Sequence, residues 1–184
     1  FTAVSLVANP DFERIASSNF EEYHYELLPQ TLSRYSREGV FDLWREGIAH
    51  QLFEPQFHGR EHLNVAVWMR ALQAGHEPTI AAFREGCWGI RTNLPHRINY
   101  QAAFDLEKSE DQHLQAQIIA DGLAQFKQLH SYEASFFVPP NGPFNRALEQ
   151  VAKDEGIRYL STAKVQHEPL GNGKTRSVFN YLGK

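Results

Sequence analysis

The chain has 184 residues and a formal charge of −4, from 18 Lys and Arg against 22 Asp and Glu, with 42% hydrophobic and 12% aromatic residues. This is the size of a single domain with a sizeable core. The composition excludes disorder, the want of ~18–20 consecutive apolar residues excludes a membrane-spanning helix, and charge spread without a basic stripe excludes an electrostatic nucleic-acid binder. The one cysteine, Cys87, excludes an intrachain disulfide framework and a cysteine-rich zinc module, and beside Trp88 it reads as a small buried apolar residue.

Apolar and β-branched residues over 2–8 predict a first strand, and Asn9-Pro10-Asp11 predicts the turn and helix start before Phe12-Glu13-Arg14-Ile15. No signal-peptide pattern stands at Phe1, and the strand is already under way there, so the sequence is expected to be an excised piece. The protein is expected to be soluble, with cytoplasm and cell envelope both open. Tyr23-His24-Tyr25-Glu26 is expected to be extended and to lead through Pro29 into a short helix. Val40, Phe41, Trp44, Ile48 and Leu52 recur at helical spacing and predict an amphipathic helix over 38–52. Residues 53–57 read as a short strand delivering His58. Helices follow over 63–74, closed by Gly75, and over 77–86, then strands at Trp88-Gly89-Ile90 and Tyr100-Gln101-Ala102-Ala103-Phe104. The longest helix is expected over 109–130, with Leu114, Ile118, Leu123, Phe126 and Leu129 on its buried side. A strand over 134–138 ends in Pro139-Pro140-Asn141-Gly142-Pro143; a helix over 145–155 is capped by Gly156 and followed by a strand over 157–160. Asn172-Gly173, between strands over 163–168 and 175–182, predicts a terminal hairpin. Trp44, Trp68 and Trp88 are candidate sugar-stacking platforms, with core packing the stronger reading for Trp44 and Trp68.

This alternation predicts an α/β protein with a largely parallel sheet, a fold whose ligands gather beyond the carboxyl ends of the strands. His58 and the Pro139 to Pro143 loop are both expected there. In Phe57-His58-Gly59-Arg60-Glu61-His62-Leu63-Asn64 two histidines stand at i and i+4. On one turn of helix their Cβ atoms lie ~5–6 Å apart, close enough for both rings to reach one cation. A catalytic zinc takes three protein ligands and leaves a place for water, so a third ligand must come from elsewhere. Asp11, Asp42, Asp105 and Asp121 have the right chemistry but read as caps or surface charges. His24, His50, His76, His96, His113, His130 and His167 form no spacing that defines a second site. A purely structural histidine pair stays open.

A rival reading takes His58-Gly59-Arg60-Glu61-His62 as the H-x-x-E-H signature of inverted zinc proteases, with Glu61 activating water. That motif belongs well inside a helix, whereas Pro55 and Gly59 place His58 at a helix edge. Glu61 otherwise reads as an i, i+4 partner for a cation on a solvated face.

The same segments resemble the polysaccharide deacetylases of the NodB-homology fold. That family carries H-[ST]-x-x-H after a strand, an R-P-P-Y-G-like loop after a later strand, then a helix and a G-[YI]-x-Y-like strand. The counterparts are His58-Gly59-Arg60-Glu61-His62, Phe137-Val138-Pro139-Pro140-Asn141-Gly142 and Gly156-Ile157-Arg158-Tyr159. The match covers roughly residues 1–162 with a helical insertion at about 63–104, and is closest to a divergent bacterial branch carrying the longer string Pro55 to Val65. The resemblance implies one domain over 1–184, a partial and distorted (β/α) barrel with largely parallel strands. It also implies a divalent metal, usually zinc, held by His58, His62 and an aspartate, with a second aspartate as general base. The metal polarises an acetyl carbonyl and acidifies water while the carboxylate takes the proton, and a carbohydrate or another small acetylated molecule is the substrate. The aspartate pair is expected upstream of Phe1 and the family's general-acid histidine beyond Lys184, so no catalytic residue is assigned and the chain alone is expected to be incomplete as a catalyst. Val138 replaces the arginine that orients the base. Asn141 replaces a tyrosine but keeps the backbone N–H for an oxyanion, which makes Pro140 and Asn141 the expected substrate-side residues. The alternative is a catalytically inactive relative that binds carbohydrate or serves a structural role.

Overall fold

Parallel strands need long crossovers between them, and this chain supplies them with helices and irregular segments. A computed structural model describes residues 2–95 and 98–181. The first strand, β1 (Thr2–Ser5), stops where the N–H groups of Val7 and Ala8 turn aside to the Arg60 carbonyl, at 3.1 and 2.8 Å. The chain resumes as β2 (Ala8–Pro10), so the single strand expected over 2–8 is two. Asp11 caps α1 (Phe12–Ser17) by accepting the Arg14 N–H at 3.1 Å, and β3 (Tyr25–Leu27) returns antiparallel to β2. Then come α2 (Leu28–Arg34), α3 (Gly39–Ala49), β4 (Glu54–Phe57), α4 (Val65–Gln73), α5 (Glu77–Arg84), α6 (Asp111–His130) and β5 (Phe136–Phe137). A 3-10 turn at Arg146–Leu148 leads into α7 (Glu149–Asp154), β6 (Tyr159–Leu160), β7 (Val165–Gly171) and β8 (Lys174–Phe179).

The fold is mixed α/β. β1, β4, β5 and β6 form a parallel sheet in that order, and seven α-helices occur among the described residues. β7 and β8 form a separate antiparallel hairpin whose turn residues Asn172 and Gly173 have φ of 52° and 70°, the conformation a two-residue type I′ turn requires. Fully buried Phe57, Phe104, Phe126, Phe137 and Phe144 pack ring to ring against the sheet, with Phe57 and Phe137 centroids 4.9 Å apart. Each such ring contributes about 1.5–3 kcal/mol by its removal from water. No helix among the described residues is long and apolar enough to cross a membrane.

The region after α5 departs from expectation. Trp88–Ile90 and Tyr100–Phe104 are irregular, not strands. Tyr100, Ala102, Ala103 and Phe104 are nonetheless buried, which reproduces the apolar signature of a strand. Asn64 and Gln115 satisfy part of this backbone in place of a neighbouring strand: the Asn64 N–H donates to the Tyr100 carbonyl at 2.7 Å and its side-chain amide to the Ala102 and Asp105 carbonyls at 3.1 and 2.9 Å, and Gln115 donates to Asp105 at 2.9 Å. Cys87 is exposed rather than buried, because it follows the end of α5 on a surface loop. Leu114 faces solvent on α6; α3 ends at Ala49, short of the 52 expected, and of its stripe only Phe41 is fully buried, with Val40 on the helix and Leu52 beyond it both exposed. Trp68 is core as expected, and Trp44 is half-buried. His96 and the last residue of the strand expected over 175–182 lie outside the described residues.

Candidate functional site

Helix α4 begins only at Val65, where the Asn64 side chain caps it by accepting the Val67 N–H at 3.3 Å. His58 to Leu63 is therefore a loop, and the histidine pair does not share a helical face as the spacing predicted. The rings meet all the same, with centroids 5.1 Å apart at 65°. Gly59 permits this: its φ of +119° is open to glycine alone, and an added Cβ would stand 3.1 Å from the Glu61 carbonyl oxygen and 3.4 Å from Pro140 Cγ.

His58 leaves the carboxyl end of β4, its N–H donating to Ser5 of β1 at 3.0 Å. Its ring Nδ1 lies 2.7 Å from the Val138 carbonyl oxygen just past β5. A carbonyl only accepts, so this contact assigns the proton to Nδ1 and leaves the lone pair of Nε2 unused. Burial pushes the His58 pKa below its ordinary value; the bond to Val138 opposes the shift and the neighbouring His62 ring adds to it. The ring is thus neutral at pH 7, the form that ligates metals. His62 lies half-buried with Trp88 stacked along it at 6.5 Å and 25°.

The opposite wall is the loop after β5. Pro139 accepts the Gly142 N–H at 3.2 Å across Pro140 and Asn141, and Asn141 has φ of 54°, the proline-then-positive-φ pattern of a type II turn. Asn141 is exposed, and its backbone N–H makes no hydrogen bond among the described residues. Pro140 is buried behind Gly59, so it shapes the wall while Asn141 faces the space. Between the walls lies a cleft of about 630 Å³ lined by His58, His62, Val138, Asn141, Thr162 and His167, among others. A larger groove of about 770 Å³, lined by Arg146, Lys153, Arg158 and Tyr181 among others, holds no histidine; chemistry, not volume, selects the smaller one.

His167, not singled out by any sequence spacing, enters this cleft from β7. The burial alternation of that strand carries the available signal: Gln166 and Glu168 are buried, so His167 points the other way. Its Nδ1 is 3.3 Å from Ser177 Oγ on β8. Glu168 anchors the hairpin by accepting the Arg146 N–H at 2.6 Å and the Arg176 side chain at 2.6 and 2.9 Å.

Glu61 is not the solvated helical residue expected. It is 1% exposed, and both its oxygens accept from the adjacent Arg60 guanidinium, at 2.7 and 2.8 Å. The protease arrangement needs both histidines and a free glutamate on one helix, whereas these residues form a loop and the carboxylate is already paired.

The donor set of the pair fits a metal: a half-buried neutral imidazole with its second nitrogen tied to a carbonyl is how ligating histidines are held. Among the described residues no group of three His, Cys, Asp or Glu side chains is placed to hold an ion. Asp11 caps α1, Asp42 pairs with Arg45 at 3.6 Å, Asp105 accepts the Leu106 N–H at 2.9 Å and Asp121 binds Arg60 at 2.9 Å. None of the four lines the cleft. The chain matches no family model, no curated protein and no solved structure.

Proposed function

We propose that this chain is part of a metal-dependent hydrolase resembling the carbohydrate N- or O-deacetylases, with His58 and His62 as two protein ligands and the third supplied by residues beyond those described. The observation that carries the reading is the 2.7 Å contact from His58 Nδ1 to the Val138 carbonyl. It joins the histidine motif to the Pro139–Asn141 loop at the carboxyl end of the parallel sheet and leaves Nε2 unengaged on a ring that lines the cleft between them. In this reading the four parallel strands belong to a larger, distorted (β/α) barrel.

Zinc or another divalent ion, when bound, supplies a Lewis acid that polarises the acetyl carbonyl and acidifies a water. His58 and His62 hold that position from one side. Asn141 lines the cleft, and its backbone N–H, without a partner among the described residues, would donate to the oxygen on which charge develops. Half-exposed Trp88 extends the His62 wall with a flat ring suited to a sugar face.

The test uses the full-length protein. Purified wild type is expected to hold one zinc per chain and to release acetate from an acetylated chito-oligosaccharide, and His58→Ala and His62→Ala are each expected to weaken zinc binding by more than ~100-fold, beyond the usual effect of an outer-shell change. A wild type that binds no divalent metal overturns the reading. Stoichiometric zinc without acetyl release from any acetylated carbohydrate replaces it with the inactive, carbohydrate-binding relative.

A further inference from the structure

The loop that carries the histidine pair is tied down by charge buried beneath it. Arg60 is 8% exposed, and its guanidinium donates twice to Glu61 and once, at 2.9 Å, to Asp121 on α6. Tyr25 on β3 donates to the same Asp121 oxygen at 2.7 Å. The guanidinium also lies over the Tyr25 ring at 4.4 Å and the Tyr23 ring at 5.6 Å. The Arg60 carbonyl meanwhile accepts the Val7 and Ala8 N–H groups. One residue, midway between His58 and His62, is thus held by α6, β3 and the chain linking β1 to β2.

A buried ion pair of this kind adds little net stability over well-packed apolar residues, because desolvation offsets the attraction. What it adds is geometry, since a planar guanidinium held on two edges and one face cannot turn. We propose that Arg60, Glu61, Asp121 and Tyr25 form a positioning clamp that sets the separation and angle of the His58 and His62 rings, and that metal affinity at the pair depends on it. This rests on the metal-site reading above. None of the four side chains lines the cleft, so the clamp acts only through the loop.

Asp121→Asn and Tyr25→Phe, in the full-length protein, separate the possibilities. Zinc affinity is measured by competition with a chromophoric chelator, ligand geometry by the visible absorption of the cobalt-substituted protein, and loop fixation by amide exchange at Val7 and Ala8. The clamp predicts variants that still melt cooperatively, bind zinc ~10–100-fold more weakly, show an altered cobalt spectrum and exchange those two amides faster. If Asp121→Asn does not fold, Tyr25→Phe, which removes one hydrogen bond, carries the test. Variants with lowered melting temperature but unchanged zinc affinity and cobalt spectrum overturn the clamp and leave the metal site standing. A wild type that binds neither zinc nor cobalt overturns both.

Discussion

Gly59 has no tolerable replacement, because its φ of +119° and the 3.1 Å approach of the Glu61 carbonyl each count against a Cβ. Gly59→Ala should cost about 1–3 kcal/mol, the range for a residue forced into sparsely populated backbone space, measured by urea denaturation. It should also weaken zinc binding, since the strain relaxes by moving the histidine loop. A change under ~0.5 kcal/mol would show that the loop has another low-energy shape. The junction role of this glycine is legible in the sequence, as is the meeting of two histidines four apart. The tie from His58 to Val138 is not, for it spans 80 positions and ends on a carbonyl that any residue would offer. Glu61 misleads for a different reason. A glutamate flanked by arginine and histidine looks solvated, and its partner turns out to be the neighbour in the chain rather than one a helical turn away.

At the scale of elements, α6 matters to the site through one small residue. A Cβ on Gly122 would stand 2.8 Å from Phe57 Cζ, 2.9 Å from Arg60 Cβ and 3.1 Å from Arg60 Cα. Gly122→Ala gains about 1 kcal/mol of helix propensity. Overpacking against backbone costs about 1–3 kcal/mol, and here the contact includes a Cα that cannot rotate away. A net fall in melting temperature is expected, with zinc affinity falling too; a stabilised variant would mean that α6 and the loop are less closely packed than the structure shows. The long helix itself is readable from its apolar repeat, and so is the hairpin, since Asn-Gly supplies both positive φ values. The stretches over 88–90 and 100–104 are not, because burial of Tyr100, Ala103 and Phe104 imitates a strand while Asn64 alone, through its backbone N–H to Tyr100 and its side chain to Ala102, does bonding a sheet partner would.

For the molecule as a whole, burial of His130 is expected to make stability fall in acid. Its ring is 8% exposed, stacked with Trp44 at 6.2 Å and close to Phe126 at 4.5 Å, and burial pulls its pKa from 6.5 to about 4. The folded state therefore favours the neutral ring. Above 6.5 both states are neutral and its full contribution is present; as pH falls from 6.5 toward 4 the unfolded chain takes the proton first and stability drops. One pKa unit is about 1.4 kcal/mol, and allowing for the remaining solvent contact the loss is of order 2 kcal/mol. Urea midpoints at pH 7 and pH 4.5 should fall further for wild type than for His130→Phe; equal falls would place the acid sensitivity elsewhere. The parallel sheet, the mixed α/β class and the shared place of His58 and the Pro139 to Pro143 loop at strand ends follow from the alternation of elements, whereas the hairpin wall that brings in His167 rests on contacts between distant segments, which spacing does not encode.

Those distant segments also set a clock. The cleft draws on His58 and His62, then on the loop around Asn141, and finally on His167. On a ribosome extending the chain at ~5–20 residues per second, the last histidine follows the second by roughly 5–20 s. For roughly the first 4–15 s of it, until the loop after β5 has been made, Phe57 has no Phe137 to cover it and the histidine loop has no Val138 carbonyl to orient it. On the proposed metal-site reading, an ion offered before that loop is made meets two unguided imidazoles, and its loading is expected to follow synthesis of the loop after β5.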